Sequence, residues 1–429
     1  MIRFLYNLAF PLGLILFLPA YLLKMRRRGN YRANFGQRFG LYAPEVRSRL
    51  ACGGRTWIHA VSVGEVAIGL KLARSLRELD PAFACVLTTT TTTGYAFATA
   101  EAPEWMEVLY QSLDYAPIVR RAFAAIRPKQ IVLVEAEVWP NLAAIAQARG
   151  VPLALVNARL SARSERRFLR FRRVVAPTFR CLDLVCVQEA SDVARWSALG
   201  VRPEVIRHVG SIKYDPAEAG SDPTIPREVL AKLGVGSARS VFLGGSTHPG
   251  EEEILGRAFL DLRKEFPELF LIVAPRHVER TSAIRAELAA AGLRIALRSE
   301  ADHANSAVDC LLLDTTGELR DWYAVATVVF IGKSLTTTGG QNPVEPILAG
   351  KPVLFGPHME NFASLARELL QAGGAIEVPD ADQLALRTAE LLRNPDRRST
   401  IVQNAEPVLA HHRGATRRTA ELLLALQPH

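Results

Sequence analysis

Short apolar runs rich in β-branched residues alternate with amphipathic helical stretches along most of this 429-residue chain. Such runs are typical of strands that are buried on both faces of a parallel sheet. Twelve runs follow the pattern, at residues 56–61, 84–89, 131–135, 153–157, 182–188, 205–209, 241–245, 269–274, 293–297, 310–314, 328–332 and 352–355. Because strands that alternate with helices form parallel sheets, the sequence predicts a doubly wound α/β fold.

The alternation is interrupted once, at residues rich in Pro, Gly and Asp that are typical of a linker. A chain of this length also exceeds one ordinary domain, so two Rossmann-like domains with a cleft between them are expected. We predict an N-terminal Rossmann-like domain at 31–214, a linker at 215–226 and a C-terminal Rossmann-like domain with terminal helices at 227–429. Residues 1–30 are predicted to form an anchor helix and its basic flank.

The positive charge is concentrated in two segments. The net charge is +9, and residues 1–44 hold seven basic residues and no acid, while 159–180 hold eight arginines against Glu165 alone. The uncharged run 4–23 is just long enough to cross a bilayer or can lie flat in its interface, and basic residues at 24–28 follow it. Two basic patches beside an apolar segment predict contact with an anionic membrane surface, with the rest of the chain in the cytoplasm. Nucleic-acid binding would favour a motif of basic groups interleaved with stacking aromatics along a groove, and the sequence shows no such motif.

Three motif-like patterns carry no ligand prediction. Gly332 to Ser334 resemble the end of a phosphate-binding loop, but Thr327 stands where its first glycine is required. No dinucleotide-binding GxGxxG follows a predicted strand. Asp380 and Asp382 precede a helical pattern, where aspartate caps backbone N–H groups more often than it binds a metal.

Three charged residues of the first half follow predicted strands. Glu65 comes after the run at 56–61, in WIHAVSVGE; Glu135 ends the run at 131–135, with Glu137 close behind; and Lys213 precedes the linker. Singly, each can be a solvated or helix-capping residue. In an open α/β sheet, however, ligands collect at the carboxyl ends of strands, so their shared placement favours a site.

The second half has polar segments after its strands too, at 246–253, 274–277, 314–319 and 336–346. The last opens a helix at a glycine pair, which predicts free N–H groups that bind a phosphate. Arg276 is suited to pair with a phosphate or carboxylate, and Glu345 to accept hydrogen bonds from ribose hydroxyls. A surface ion pair at Arg276 is the plainer alternative.

These motifs, together with NARLSARS at 157–164 and GPHMENF at 356–362, resemble the Kdo transferases. The resemblance spans nearly the whole chain. It implies a GT-B fold, with an acceptor domain first and a CMP-sugar donor domain second, that moves 3-deoxy-D-manno-octulosonic acid (Kdo) from CMP-Kdo onto a lipid A precursor. It also implies lipopolysaccharide biosynthesis at the cytoplasmic face of the bacterial inner membrane, without a cofactor or metal.

The resemblance assigns roles to particular residues. Glu65 is implied as the proton acceptor, with Glu135 and Lys213 as transition-state stabilisers. The implied donor contacts are Pro275, Arg276, Thr316, Gly317, Glu318, Asn342, Pro343, Val344 and Glu345. The family commonly has Met at Thr316, Gly at Lys333 and often His at Gln341, so any imidazole role at Gln341 is in doubt and the cation of Lys333 is unexplained.

The mechanism expected from these residues is an inverting attack by a sugar hydroxyl that Glu65 deprotonates, with no metal required. Another GT-B glycolipid transferase that uses a UDP-sugar is the alternative, and a membrane-tethered binding protein without activity is a third hypothesis. The basic segment is predicted to place Arg166, Arg170 and Arg173 on one helix face that meets the phosphorylated acceptor or anionic headgroups. A solvated helix with snorkelling arginines is the alternative there.

Overall fold

The computed structural model describes residues 2–27, 34–51, 53–136, 138–215, 221–303 and 308–427. The chain forms two compact units, Met1–Asp215 with His412–His429, and Pro216–His411. Each unit is built around one seven-stranded parallel sheet, which confirms the predicted α/β class. Most of the predicted linker, residues 216–220, lies outside the described residues, and the next helix begins at Thr224, inside the predicted linker.

The first sheet runs through residues that are apolar on both faces, as strands covered by helices on both sides require. Its strands are β1 (Thr56–His59), β2 (Cys85–Thr89), β3 (Met106–Tyr110), β4 (Gln130–Val134), β5 (Leu153–Ala158), β6 (Leu184–Val187) and β7 (Ile206–His208). Their order is β3-β2-β1-β4-β5-β6-β7. The first strand therefore lies between β2 and β4, with β1 and β4 paired in parallel.

The helices of the first unit begin where the sequence supplies a capping side chain or a proline. Ser62 and Thr91 accept hydrogen bonds from N–H groups of the first turn, and prolines occupy the first turns of several others. The helices are α1 (Ile2–Arg27), α2 (Pro44–Leu50), α3 (Val63–Leu79), α4 (Thr92–Glu101), α5 (Ala116–Ile126), α6 (Pro140–Ala148), α7 (Ala162–Arg170), α8 (Arg172–Phe179) and α9 (Ala190–Ala198), with 3-10 turns at Phe35–Phe39 and Pro203–Val205.

Helix α1 lies along the first unit with one side against it. Asn7 exchanges hydrogen bonds with Asn141, and the Phe10 ring stacks on Tyr115 with centroids 5.5 Å apart. The opposite side is apolar and exposed, with Phe4 71% and Leu16 73% accessible. In the part of the chain that the structure describes, no helix has the length and apolarity needed to cross a bilayer. The basic flank at 28–30 lies outside the described residues.

The last helix belongs to the first unit rather than to the second. Helix α18 (Ala415–Leu424) packs on α3, and its Ala420 and Leu423 are part of the apolar core beneath the first sheet. Asp215 fixes this return because its carboxylate accepts from the N–H groups of Gly414 and Thr416, at 2.7 and 2.8 Å. The expected boundaries of the C-terminal domain, 227–429, are thus wrong at their end, because the apolar face of α18 is buried in the core of the first unit.

The second sheet has the same construction. Its strands are β8 (Val241–Thr247), β9 (Phe270–Pro275), β10 (Ile295–Leu297), β11 (Cys310–Leu312), β12 (Val328–Ile331), β13 (Val353–Phe355) and β14 (Ile376–Glu377). They are ordered β10-β11-β9-β8-β12-β13-β14, all pairs parallel. Buried aromatic and branched side chains of the strands and of the helices packed on them form a core of the unit, among them Phe242 and Phe330 of the sheet and Phe259 of the helix at Glu251–Leu262.

The helices of the second unit cover this sheet. They are α10 (Thr224–Lys232), α11 (Glu251–Leu262), α12 (Thr281–Ala290), α13 (Leu319–Tyr323), α14 (Val344–Leu348), α15 (Ala363–Ala372), α16 (Ala381–Arg393) and α17 (Pro395–Ala410), with 3-10 turns at Val278–Arg280, Arg298–His303 and Glu360–Phe362. Asp380 caps α16 by accepting from the Gln383 N–H at 2.8 Å, which confirms capping as the role of this aspartate.

Candidate functional site

Glu65 and Glu135 follow the two strands at which the first sheet reverses its winding. In chain order, β2 and β3 lie on one side of β1, and β4 begins the other side of the sheet. This is the switch point of a doubly wound sheet, where a crevice opens outside the carboxyl ends of the strands. Glu65 follows β1 and Glu135 follows β4, so the topology places these carboxylates at the same edge.

Glu65 is the third residue of α3 and completes a capping box with Ser62. The Ser62 hydroxyl accepts from the Glu65 N–H at 3.3 Å and donates to its Oε1 at 2.9 Å, while the Val61 N–H donates to its Oε2 at 2.9 Å. The helix-capping alternative is therefore realised. Capping leaves part of the hydrogen-bonding capacity of the Glu65 carboxylate available, because each of its two oxygens can accept more than the one hydrogen bond that Ser62 or Val61 donates.

Glu135 has two features typical of a functional carboxylate. Its φ is +65°, a left-handed conformation that is uncommon for residues other than glycine. The pKa of Glu135 is raised, first by burial and then by the negative charge of Glu65, while the cations of Arg159 and Lys213 oppose the increase. The structure therefore brings Glu65, Glu135 and Lys213 within one electrostatic neighbourhood, as a shared site requires.

Lys213 reaches this neighbourhood from the far edge of the sheet. Burial lowers the pKa of the Lys213 ammonium, and the charge of Glu135 counteracts the decrease. The turn before it is held by Asn157, whose side-chain oxygen accepts from the Ile212 N–H at 3.0 Å and from the Ser211 hydroxyl at 3.3 Å. Asn157 itself has φ +50°. The end of β5 and the turn after β7 are thereby tied together.

Arg159 belongs to this neighbourhood although no role was assigned to it from the sequence. It is exposed, and its charge acts on both Glu135 and Lys213. The signal that could have identified it is its place in NARLSARS, directly after β5. Glu137, the other carboxylate of this strand end, lies outside the described residues.

The predicted donor residues of the second unit also follow neighbouring strands. In this sheet the winding reverses between β8 and β12, with β9 and β11 on the β8 side. Pro275 and Arg276 end or follow β9, residues 316–318 follow β11, and 342–345 come after the loop that leaves β12. Because all the strands are parallel, these segments lie at one edge of the sheet.

Arg276 is exposed, and the surface ion pair that was the plainer alternative is not found within the described residues. Its N–H donates to the Thr247 oxygen at 3.0 Å, which joins the ends of β9 and β8. Glu318, in contrast, is already paired, because Arg298 donates to its Oε2 at 3.0 Å. The loop Thr316–Gly317 is exposed, and Gly317 has φ +89°. Its contribution to binding is therefore expected through the backbone.

The segment at 342–345 differs from the phosphate site that the sequence suggested. Helix α14 has only five residues, too few for a strong macrodipole, and the Asn342 side chain already accepts from the Val344 N–H at 3.0 Å. Pro343 and Val344 are buried. Asn342 also donates to Glu345 Oε1 at 3.2 Å, and burial raises the pKa of Glu345 despite this hydrogen bond. This segment offers polar acceptors rather than free N–H groups.

A buried glutamate that the sequence did not single out organises the switch point of the second sheet. The Glu251 side chain is fully inaccessible. Its Oε2 accepts from the N–H groups of His248 and Lys333 at 2.8 and 2.7 Å, and its Oε1 from those of Ser334 and Leu335 at 3.0 and 3.1 Å. One carboxylate therefore joins the loops that follow β8 and β12.

The basic segment is two helices rather than one. Helix α7 ends at Arg170, and α8 begins after Phe171, whose φ of −108° and ψ of 26° break the helical path. The predicted single face of Arg166, Arg170 and Arg173 is therefore wrong, although all eight arginines of 159–180 are exposed. Phe168 is partly buried and packs edge-on against Phe179, centroids 5.6 Å apart, whereas Leu169, Phe171 and Val174 are exposed.

Comparisons with known proteins agree with these features. Residues 33–216 match the family model described as 3-deoxy-D-manno-octulosonic-acid transferase (kdotransferase). The chain is 36% identical over 416 residues to the 3-deoxy-D-manno-octulosonic acid transferase of Bordetella pertussis, covering 93% of this chain and 94% of that protein. It is 30% identical over 395 residues to the enzyme of that name from Haemophilus influenzae, covering 92% and 91%.

The fold has counterparts among solved structures. The UDP-GlcNAc 2-epimerase from Neisseria meningitidis, bound to UDP-GlcNAc, matches with a TM-score of 0.58 at 12% identity, covering 87% of this chain and all (100%) of that chain. At this identity the likeness concerns the fold alone.

Proposed function

The chain belongs to the family of 3-deoxy-D-manno-octulosonic acid transferases, and from this premise we propose that it transfers Kdo from CMP-Kdo to a hydroxyl of a lipid A precursor. The step belongs to lipopolysaccharide biosynthesis. The observation that carries the proposal is the set of Glu65, Glu135 and Lys213, because three elements distant in sequence place Glu135 under the charges of both the Glu65 carboxylate and the Lys213 ammonium.

Glu65 is the general base in this proposal. A sugar hydroxyl is too weakly acidic to attack unaided, and a positioned carboxylate removes its proton as attack proceeds. The hydrogen bonds from Ser62 and Val61 hold the Glu65 carboxylate in one orientation, which favours a defined approach of the acceptor.

The covalent change is a single displacement. The acceptor oxygen forms a bond to the anomeric carbon of Kdo, the bond from that carbon to the phosphate oxygen breaks, and the hydroxyl proton passes to Glu65. Attack from the face opposite the phosphate inverts the anomeric centre. CMP leaves as a stable phosphate anion, so the reaction requires neither a general acid nor a metal ion.

Glu135 and Lys213 adjust the electrostatics around this base. A half-buried cation beside Glu135 lowers the cost of the charge that moves from the acceptor to the leaving group. The opposing effects of Lys213 and Glu65 on the pKa of Glu135 support this assignment. Arg159 adds a second cation to the same neighbourhood.

The second unit binds the donor in this proposal. Arg276 has an exposed guanidinium for the phosphate, the exposed backbone at Thr316–Gly317 is available to the nucleotide, and Glu345 is an acceptor for ribose hydroxyls. Glu318 fixes its loop through Arg298. Pro275, Asn342, Pro343 and Val344 shape the edge around these groups.

The acceptor is a lipid, and we assign its delivery to the surface of the first unit. The exposed apolar side of α1 has the character of an interfacial helix that lies on a membrane. The exposed arginines of α7 and α8, interrupted by Leu169, Phe171 and Val174, suit anionic headgroups or acceptor phosphates. The proposed location is the cytoplasmic face of the inner membrane.

Glu65→Gln tests the proposal directly. We expect the variant to lose transfer, measured by the mass of the product from CMP-Kdo and a lipid A precursor, by about 10²–10⁴-fold. CMP binding, measured by calorimetry, should be unchanged because the donor residues lie in the other unit. Retained turnover would remove Glu65 from the role. Product formation from UDP-sugars in the same assay would instead support the alternative transferase.

A further inference from the structure

Lys333 is a cation at the switch point of the second sheet that the proposed mechanism does not use. It is the second residue after β12, the strand that pairs with β8. Its φ is +58°, a left-handed conformation that glycine adopts freely and lysine does not. A charged side chain kept in an unfavourable backbone conformation is a reason to look for a function at that position.

The backbone of Lys333 is fixed on both sides. Its N–H donates to Glu251 Oε2 at 2.7 Å, and its carbonyl oxygen accepts from the Gly340 N–H at 2.8 Å. The first contact joins Lys333 to the loop after β8, and the second joins it to the glycine pair further along its own loop. The direction in which its side chain leaves the backbone is therefore determined by buried partners.

The side chain extends over the glycine pair. A Cβ built on Gly339 would lie 3.1 Å from Lys333 Cε and 3.3 Å from its Nζ. Gly339 is buried, with φ +128°, and Gly340 follows with φ +67°. The absence of side chains at this pair leaves the space that the lysine occupies. Its ammonium thus lies against the backbone of Gly339.

No carboxylate neutralises this ammonium in the described part of the chain, where Lys333 forms no ion pair. The acids bonded to its loop are engaged with backbone N–H groups. Glu251 holds four of them, and Glu360 accepts from Gly339 at 2.6 Å. The Lys333 charge is felt across the loop: the pKa of His248 is lowered, mainly by burial, and Lys333 adds to the decrease, while the Ser246 hydrogen bond and the Glu251 charge oppose it.

We propose that the Lys333 ammonium binds an anionic group of the nucleotide-sugar donor, either its phosphate or the carboxylate of its sugar. The proposal rests on the proposed function and adds a donor-binding residue to it. The short helix α14 and its capped Val344 N–H leave little anion binding to the backbone of 342–345. A side-chain cation at the switch point supplies the missing charge.

The test uses full-length protein and compares Lys333→Met, Lys333→Gly and the control Lys264→Met. Lys264 is an exposed lysine of the same unit that pairs only with Asp261 at 2.7 Å. Calorimetric binding of CMP should weaken about 10- to 100-fold in both Lys333 variants, the effect of one charge-assisted hydrogen bond. Cytidine binding should not change in any variant, and the control should bind CMP like the wild type.

Lys333→Gly also separates binding from folding. Glycine relieves the left-handed conformation, so the melting temperature of this variant should equal or exceed that of the wild type while CMP binding weakens. A variant that binds weakly because it unfolds would show the opposite change in melting temperature.

The arms of the experiment identify the anion. Weaker binding of CMP assigns the phosphate. Unchanged CMP binding with a raised KM for CMP-Kdo assigns the sugar carboxylate, which CMP lacks. If neither quantity changes in Lys333→Met, the proposal is overturned and the proposed function stands. If the wild type does not bind CMP at all, the proposed function fails, and the role of Lys333 fails with it.

Discussion

The buried carboxylate of Glu251 is the strongest single support of the second unit's crevice, and Glu251→Gln measures it. The change keeps the shape of the side chain but replaces one acceptor oxygen with an NH₂ donor. Each oxygen of Glu251 accepts from two backbone N–H groups, so two of these four would face a donor instead of an acceptor. At about 1.5–3 kcal/mol for each hydrogen bond to a charged group, the expected loss is about 3–6 kcal/mol.

The assay combines thermal unfolding with amide hydrogen exchange. For a unit of this size, 1 kcal/mol corresponds to about 2–4 °C, so the melting temperature of the second unit should fall by at least about 6 °C. The amides of the loop after β12 should lose protection first, because their acceptor is removed. CMP binding should weaken together with them.

Glu253→Gln is the matched control, two residues further along the same helix. Glu253 is half-exposed and, among the described residues, pairs with Arg257 one turn away, so its loss should cost about 0.5 kcal/mol or less. The reasoning would be refuted if Glu251→Gln melted like this control and kept its amides protected.

Three further predictions concern other parts of the chain. Arg280→Met should destabilise the second unit by about 3–5 kcal/mol in denaturant unfolding, because the fully buried Glu252 would lose the guanidinium that donates to it at 2.9 Å. Burial raises the pKa of Asp114 to about 6, so the folded state holds this proton more tightly than the unfolded state does. The stabilisation from protonated Asp114 is therefore fully present below pH 4 and is lost as the pH rises to about 6. The destabilisation caused by Asp114→Asn should be larger at pH 4.5 than at pH 7, by about 2 kcal/mol. The double substitution Arg166→Glu and Arg170→Glu should weaken binding to anionic vesicles, measured by co-sedimentation, and should reduce the salt dependence of that binding. Co-sedimentation equal to that of the wild type at every salt concentration would contradict the membrane role.

Most strands could be predicted because strands buried on both faces must be apolar throughout, and the twelve predicted runs coincide with β-strands. Two strands were missed for physical reasons. Strand β3 is an edge strand whose Glu107 and Val108 are only partly buried, and β14 has two residues. Neither has the continuous apolar run that marks a central strand.

Glu65 shows which contacts of a site residue can be predicted from the neighbouring sequence and which cannot. The sequence Ser62 to Glu65 predicts a capping interaction, and the structure contains it. The same pattern cannot report that Glu135 approaches from another strand with a left-handed backbone, or that Lys213 lies beside it. Those relations depend on which strands are neighbours.

The basic segment and the final helix illustrate the limits of periodicity. Arginine spacing predicts one face for a continuous helix, but packing of Phe168 against Phe179 accompanies a break at Phe171. The amphipathic pattern of α18 likewise predicts a helix with a buried face without identifying the core that buries it. Asp215 and α3 decide that question.

The sequence by itself determined the parallel α/β class, the presence of two such repeats, and the polar residues at the strand ends, because all three follow from local hydrophobic period and turn chemistry. Only the tertiary structure decided that β1 adjoins β4 and β8 adjoins β12, and hence which strand-end residues share a crevice. It alone revealed that Glu251 joins the loops after β8 and β12 and that the Lys333 side chain lies over Gly339. Strand order and buried hydrogen bonds join residues far apart in the chain, and no local pattern encodes that partnership.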